Sequence, residues 1–581
     1  MRILLIAGAF NSLTQRVHAE LTDGGHRVTV ELVTRRTPLL ETVRRHAPDL
    51  IIAPMLKTAV PREVWSAYTC LIVHPGPLGD RGPSSVDWAV HLGADRWGVT
   101  VLQANDEMDA GDVWAAAGCP VPEVGKSDLY RNEIADAAME AVRTAVERFA
   151  SGDHRPRPQH LLPAAEKPGC PRPPLRQTER RIDWRTDPTD TVVRKLRAAD
   201  SQPGVRDELL GETWFLHGGH PEDTLTGEPG ALLATRSGAV CRATADGAVW
   251  IPELRPPRTP GAPATFKLPA TLALGDRLPH VPEIPAPPEP DDGPSTETGR
   301  TETGRPRTWT DIRYREDGAV GFLRFAFPGG AMSTDHCRRL LAAYRHACSR
   351  PTSVLVLGGC RDFFANGIHL NVIEGAPDPA AESWANINAM DDLVHAVLTT
   401  TDRLVVAALG GNAAAGGAML ALAADEVWCR SAVVLNPHYR LMGLYGSEYW
   451  TYTLPGRAGP EAAARLMERA LPVTAATGQR LGLVDRLIDC GPQDFTARTA
   501  QLAAHLAAAP SCQPRIAAKK ADRERDEAHR PLAAYRSHEL ARMHTNFFAP
   551  DQPYHALRRA FVRKEPATGT PPHLAAAHES G

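Results

Sequence analysis

Residues 70–90 read CLIVHPGPLGDRGPSSVDWAV. An apolar run of Leu71, Ile72 and Val73 stops at His74, and Pro75, Gly76, Pro77, Gly79 and Gly82 follow as a turn-rich loop. That pattern predicts a buried strand that delivers one imidazole to a sheet edge, where α/β folds place their chemistry. A second strand is expected over residues 98–101, followed by Asp106, Glu107, Met108, Asp109, Ala110 and Gly111, a carboxylate-bearing loop with a glycine turn. His74 and Asp109 at two neighbouring strand ends would share a hydrogen bond that orients the ring and stabilises its charged form.

The 581 residues exceed what one core can organise, so three or more domains are expected. A 43% hydrophobic, 23% charged chain with a net charge of -3 offers no polyanion-binding surface, which speaks against nucleic acid as a partner. The opening Met1-Arg2-Ile3-Leu4-Leu5-Ile6 reads as a first strand rather than a signal peptide, and no apolar run reaches the length of a membrane span. The ten cysteines include no Cys-x-x-Cys pair, which argues against a zinc ribbon or a disulfide scaffold and for a reducing cytoplasm.

Residues 1–155 alternate strand and helix, which predicts a Rossmann-like, doubly wound parallel sheet. A helix is expected over residues 127–149, ended by Gly152. Gly8 is not followed by Gly-x-x-Gly, so a dinucleotide fingerprint is absent. A Pro-rich linker leads to short strands with turn signals over 175–284, a small β-barrel domain. Residues 285–308, with Thr-Glu-Thr-Gly-Arg in tandem, read as a disordered linker. A second α/β domain is expected over 309–512, a helical region over 513–565 and a disordered tail over 566–581.

With these residues in view, the first domain resembles the formyltransferases that use formyltetrahydrofolate. Their signature of Asn-x-His, a Leu/Pro loop, Arg-Gly and then Asp-x-Gly is met by His74, Arg81-Gly82 and Asp109-Ala110-Gly111. The resemblance implies His74 and Asp109 as catalytic residues and Arg81, Gly82 and Gly111 as folate-binding ones. The asparagine two residues before the histidine is here Ile72. A lost oxyanion donor of that kind is worth a few kcal/mol, so ordinary transfer to an amine should be impaired or rewired. Ile182-Asp183-Trp184 and Leu196-Arg197-Ala198 resemble phrases of the C-terminal barrel of methionyl-tRNA formyltransferases.

In the second α/β domain, the run from Asp362 to Leu370 and the Gly-rich run from Gly410 to Met419 resemble the crotonase (enoyl-CoA hydratase/isomerase) superfamily. Glycine-dense turns expose backbone N–H groups, and two facing turns form an oxyanion hole for a thioester carbonyl. By position the donors would be Ile368 and Gly416, framed by Asn366, Gly367 and Gly417. Where hydratases carry two glutamates, this sequence has Met419 and His438, neither of which replaces a carboxylate handling water. Hydration of an enoyl thioester is therefore not expected, and what remains is a thioester pocket with different chemistry. The phrase from His438 to Trp450 is dense in titratable and hydroxyl groups. Glu448 is the expected base, Tyr445 and Ser447 positioning donors, and His438 a second proton carrier.

The order formyltransferase, barrel, crotonase, together with GLYGSEYWTYTLPGRAG, is similar to the HypX (HoxX) family of nickel–iron hydrogenase maturation. The resemblance implies formyl transfer from 10-formyltetrahydrofolate to coenzyme A, then decarbonylation of formyl-CoA to carbon monoxide and coenzyme A. No metal is required in that scheme. The implied partners are other hydrogenase maturation proteins or the hydrogenase large-subunit precursor. Rival readings are a formyltransferase or hydrolase fused to an unrelated acyl-CoA lyase, and a folate- and CoA-binding scaffold.

Overall fold

The computed structural model describes residues 1–34, 37–56, 58–286, 307–565 and 569–575. Most of the linker expected over 285–308, and residues 566–568 and 576–581 of the expected tail, lie outside the described residues.

The first domain is built on six strands, β1 (Arg2–Ala7), β2 (Arg27–Leu32), β3 (Leu50–Pro54), β4 (Cys70–His74), β5 (Arg96–Gln103) and β6 (Val113–Pro120), in the order β2-β1-β3-β4-β5-β6. The first four run parallel, as their apolar runs separated by helices predict. β5 and β6 are antiparallel to their neighbours, so the sheet is mixed rather than all parallel. This matters for the site: Gln103 lies opposite Leu71 at the start of β4, and Thr100 opposite His74. The 104–112 loop must double back to bring Asp109 to His74.

Helix α1 (Ser12–Asp23) is capped by Asn11, whose Oδ1 accepts from the Thr14 N–H at 2.9 Å. The helix expected over 127–149 breaks at Asn132 into α2 (Lys126–Arg131) and α3 (Glu133–Ser151). The Asn132 side chain bonds back to Asp128 at 2.9 Å, competing with the helix backbone. Gly152 ends α3 in the left-handed region.

The middle domain carries helix α4 (Thr189–Ala198) and two four-stranded antiparallel sheets. One contains β7 (Val205–Leu209), β8 (Glu212–His217), β13 (Glu253–Arg255) and β14 (Leu268–Pro269). The other contains β9 (His220–Glu222), β10 (Leu232–Arg236), β11 (Ala239–Ala243) and β12 (Ala248–Ile251). Leu216, Leu254, Val249 and Ile251 from both sheets pack with Val192 and Leu196 of α4 in one core.

The third domain has a six-stranded sheet in the order β15-β16-β17-β19-β21-β24: β15 (Ile312–Asp317), β16 (Val320–Phe325), β17 (Val354–Gly358), β19 (Leu404–Leu409), β21 (Glu426–Arg430) and β24 (Arg486–Ile488). A smaller sheet joins β18 (Phe363–Ala365), β20 (Asn412–Ala414), β22 (Val434–Asn436) and β23 (Val473–Thr474). Around them lie α5 (Thr334–Cys348), α6 (Pro379–Thr399), α7 (Gly416–Leu422), α8 (Leu532–Phe548) and α9 (Tyr554–Val562). Residues 569–575, expected in a disordered tail, return instead to the first domain. Thr570 Oγ1 accepts from the Leu32 N–H at 2.8 Å, and Leu574 is buried in the first domain's core, which offsets the cost of ordering the segment.

Buried polar contacts clasp the outer domains together. Arg361 pairs with Glu133, and Arg430 reaches Asp136 at 2.8 Å and Asn132 Oδ1 at 3.1 Å. Asn371 Nδ2 donates to the Lys267 carbonyl of the middle domain at 2.9 Å. Among the described residues, no helix is long and apolar enough to cross a membrane.

Candidate functional site

The end of β4 presents His74 as predicted, almost wholly buried, but with a partner the sequence reading passed over. Its Nε2 lies 2.9 Å from Oδ2 of Asp80, whose Oδ1 accepts from Arg172 Nη1 at 2.7 Å. Its Nδ1 faces Asp109 Oδ1 at 3.5 Å, beyond a normal hydrogen bond. The ring therefore stands between two carboxylates, with Asp80 the nearer. Gly76 makes this possible: a Cβ there would fall 2.3 Å from Asp80 Oδ2 and 2.4 Å from His74 Nε2. Asp80 could have been found in the sequence as an acid in the same glycine-rich loop, six residues beyond the histidine.

Asp109 adopts φ +56 and accepts from the Gly82 N–H at 3.2 Å. Gln159 holds the loop by donating to the carbonyls of Asp109 at 2.9 Å and Gly111 at 3.0 Å. Gly82 and Gly111 are required by close backbone crossings; a Cβ would meet the Arg172 carbonyl at 2.3 Å and the Gln103 carbonyl at 1.7 Å respectively. Both glycines line a cavity, whereas Arg81 pairs with the exposed Glu107. Ile72 also lines this cavity, so the wall is aliphatic where the formyltransferase pattern has an amide.

The second centre forms where two turns of the third domain meet. Gly367, at φ +79, packs so tightly that a Cβ would lie 3.0 Å from the Gly416 nitrogen. Gly417 is pressed against the Ala365 carbonyl, where a Cβ would stand at 2.1 Å. Asn366 anchors its turn through its N–H to the Gly330 carbonyl at 2.7 Å and its side chain to the Gly329 carbonyl at 2.8 Å. Neither the Ile368 N–H nor the Gly416 N–H donates to another protein group among the described residues, and both residues line the cavity. Two unspent backbone donors on facing turns are the kind of group that an oxyanion site uses.

Glu448 lies against this pair. A Cβ on Gly416 would fall 2.0 Å from Glu448 Oε1, so that oxygen occupies the space the glycine leaves. Its other oxygen, Oε2, accepts from the Tyr439 O–H at 2.8 Å and the Ser447 N–H at 3.1 Å. Burial, followed by the nearby Asp391 charge, pushes the Glu448 carboxyl up to about 8. Glu448 and Tyr449 are both left-handed, at φ 60 and 59, a costly backbone for side-chain-bearing residues.

The other residues of this phrase are arranged differently from the sequence expectation. Tyr445 does not reach Glu448: its O–H is 3.1 Å from His538 Nε2 and its ring packs on Trp450. Ser447 is fully buried, and its Oγ donates to Asp391 at 2.8 Å, leaving only its N–H for Glu448. Tyr439, inside the quoted phrase, is the hydroxyl donor instead. Tyr439 lies two residues after Pro437 and carries no role in the sequence reading. His438 does line the cavity; its Nδ1 is 3.0 Å from the Asn436 carbonyl, and burial lowers its pKa.

One cavity of about 1440 Å³ reaches both centres. Its lining includes His74 and Asp109 of the first domain, Lys126 of α2, Glu253 and Lys267 of the middle domain, and Ile368, Gly416 and Glu448 of the third.

Comparison with known proteins agrees with this division. The Formyl transferase family model matches residues 33–146, its C-terminal domain model residues 174–265, and the Enoyl-CoA hydratase/isomerase model residues 327–567. Hydrogenase maturation factor HoxX of Bradyrhizobium diazoefficiens is 46% identical, over 98% of this chain and 96% of its own length. The chain belongs to the HoxX/HypX hydrogenase-maturation family. HypX from Aquifex aeolicus, solved in complex with tetrahydrofolic acid, superimposes with a TM-score of 0.91 at 43% identity, covering 99% of this chain and 98% of that one. Methionyl-tRNA formyltransferase of Geobacillus thermodenitrificans is 26% identical over 37% of this chain, whereas the HoxX likeness spans both centres.

Proposed function

We propose that this chain makes carbon monoxide for nickel–iron hydrogenase maturation by two reactions within one cavity. The observation that carries the reading is the single space of about 1440 Å³ shared by His74 and Glu448. The folate-bound HypX supports 10-formyltetrahydrofolate as the formyl donor for the first centre. Coenzyme A is the acceptor, and the cavity is large enough for a cofactor-sized thiol to reach from one centre to the other. The gas is destined for the hydrogenase large-subunit precursor or its maturation proteins, in the cytoplasm.

At the first centre, His74 takes the thiol proton as sulfur attacks the formyl carbon, then returns a proton to the departing folate nitrogen. Positioned proton transfer of this kind contributes about 10²–10⁴-fold. Asp80 orients the ring through Nε2, and Asp109 faces the Nδ1 that takes the proton. A thiolate is a stronger nucleophile than an amine at working pH, which accommodates the aliphatic wall at Ile72.

At the second centre, the N–H groups of Ile368 and Gly416 receive the thioester oxygen. Glu448 in its ionised form removes the formyl proton through Oε1. The C–H electron pair stays on carbon as its lone pair, an oxygen lone pair forms the third carbon–oxygen bond as the C–S bond breaks, and Glu448 returns the proton to the leaving thiolate. Formyl thioester thus gives carbon monoxide and thiol with no oxidant or reductant. Tyr439 fixes the carboxyl by occupying Oε2. Because the reactive form is the carboxylate, the rate of this step rises with pH through about 8.

The test is anaerobic incubation of the full-length protein with 10-formyltetrahydrofolate and coenzyme A, scoring gas with reduced haemoglobin. Wild type releases carbon monoxide. His74→Ala releases none from the folate but does so from supplied formyl-CoA, and Glu448→Gln releases none from either. Formate in place of gas from wild type overturns the proposal.

A further inference from the structure

Two buried acids beside Glu448 are left unused by the mechanism. Asp391 of α6 is fully buried and accepts from the Ser447 O–H at 2.8 Å and from the Glu448 N–H at 2.9 Å. Glu539 of α8, also fully buried, accepts from the Tyr449 N–H at 2.8 Å and the Thr451 N–H at 2.8 Å. Two carboxylates from two different helices therefore grip successive backbone N–H groups of one turn. That turn carries two consecutive left-handed residues, Glu448 and Tyr449, which persist only where surrounding contacts over-determine them. Burying a carboxylate merely to cap a turn is expensive; a neutral amide or a water would do it for less.

We infer that Asp391 is a positioning residue for the thioester centre, holding the 447–449 turn so that Glu448 Oε1 meets Gly416, and placing a negative charge behind the Glu448 carboxyl. This rests on the two-step reading above and adds a residue to it. The charged and titratable groups around Glu448 are Tyr439, Asp391 and Asp392 from α6, Glu539 and Arg536 from α8, and Cys337 from α5. Arg536 Nε stands 3.7 Å from Asp391 Oδ2 and Nη1 2.7 Å from Asp392 Oδ1, so it partly neutralises the charge that Asp391 supplies. Burial pushes Asp391 itself up to about 6 and Glu539 to about 7, so all three carboxyls resist ionising together.

The arrangement makes two variants act in opposite directions. Asp391→Asn keeps an acceptor for the Ser447 O–H and the Glu448 N–H but removes the charge, so Glu448 should titrate about one pH unit lower. Arg536→Gln removes the neutralising cation and should move the titration upward. Difference infrared spectroscopy of the protonated carboxyl band, assigned by its loss in Glu448→Gln, reads this directly in the protein without substrate. The pH limb of carbon monoxide release from formyl-CoA should follow the band in both variants. Band midpoints unmoved in both variants, even with a reduced rate, would mean that Asp391 only packs the turn, and would overturn the inference. If the Asn variant does not fold, the upward shift in Arg536→Gln carries the test. A band that moves as expected in a protein making no carbon monoxide would sustain the positioning role and refute the proposed function instead.

Discussion

Gly416→Ala is the sharpest perturbation of the thioester centre, because it adds one methyl group where Glu448 already stands. The new Cβ would lie 2.0 Å from Glu448 Oε1 and 2.7 Å from its carboxyl carbon. To regain an ordinary contact of 3.4 Å, the carboxyl has to retreat by about 1.4 Å. Glu448 cannot do so and keep its 2.8 Å bond from Tyr439. A hydrogen bond to a charged group contributes about 1.5–3 kcal/mol, and a misplacement near 1 Å costs about 10²-fold in rate. The variant should therefore release carbon monoxide from formyl-CoA at about a hundredth of the wild-type rate. Alanine suits a helix better than glycine by up to about 1 kcal/mol, so the fold should survive, and circular dichroism would confirm it. The assay is stopped-flow detection of gas with reduced haemoglobin, starting from formyl-CoA so that the first centre is bypassed. A folded Gly416→Ala protein working within threefold of wild type would refute the contact between Gly416 and Glu448 as a catalytic arrangement.

Asp80→Asn should lower carbon monoxide production from 10-formyltetrahydrofolate about a hundredfold by loosening His74, while production from formyl-CoA stays unchanged; a parallel loss with both substrates would contradict that assignment. Glu133→Ala removes the buried partner of Arg361 at the junction of the outer domains and leaves it Asp128 at 3.4 Å. Breaking a buried pair costs about 3–5 kcal/mol, to be read as a lower midpoint in urea unfolding. Glu448 also makes stability depend on pH. Its folded-state pKa of about 8 lies above the ordinary 4.5, so below pH 4.5 both folded and unfolded states hold the proton and there is no penalty. Between these values the unfolded state releases its proton first, and stability falls as pH rises until the loss is complete above about pH 8. Glu448→Gln lacks this penalty, so its melting temperature relative to wild type should climb between pH 5 and pH 9; a constant difference would contradict the raised pKa.

Much of the architecture was legible because it rests on local patterns. The apolar run ending at His74 and the Gly-rich turn before α7 each encode a backbone shape within about ten residues. The antiparallel direction of β5 was not legible, since its alternation is the same whichever way the strand runs. Asp80 and Tyr439 lie inside the two stretches singled out, but no spacing pattern within those stretches marks them as partners of His74 and Glu448. Asp391 and Glu539 stand 57 and 91 residues from Glu448 on helices with their own periodicity, and nothing local ties them to it. Ser447 and Tyr445 show the converse: proximity in sequence suggested a shared target, yet the Ser447 side chain bonds to Asp391 and the Tyr445 hydroxyl meets His538. Residues 569–575 were misread because low hydropathy hid two anchors, Thr570 and Leu574.

The most direct test of the central claim is to give the anaerobic protein 10-formyltetrahydrofolate carrying carbon-13 in the formyl group, with coenzyme A, and follow the label by infrared spectroscopy of haemoglobin-bound gas. The account predicts labelled carbon monoxide in step with tetrahydrofolate formation, dependent on coenzyme A, and formyl-CoA accumulating in its place in Glu448→Gln. Label recovered as formate, or gas formed without coenzyme A, would contradict it.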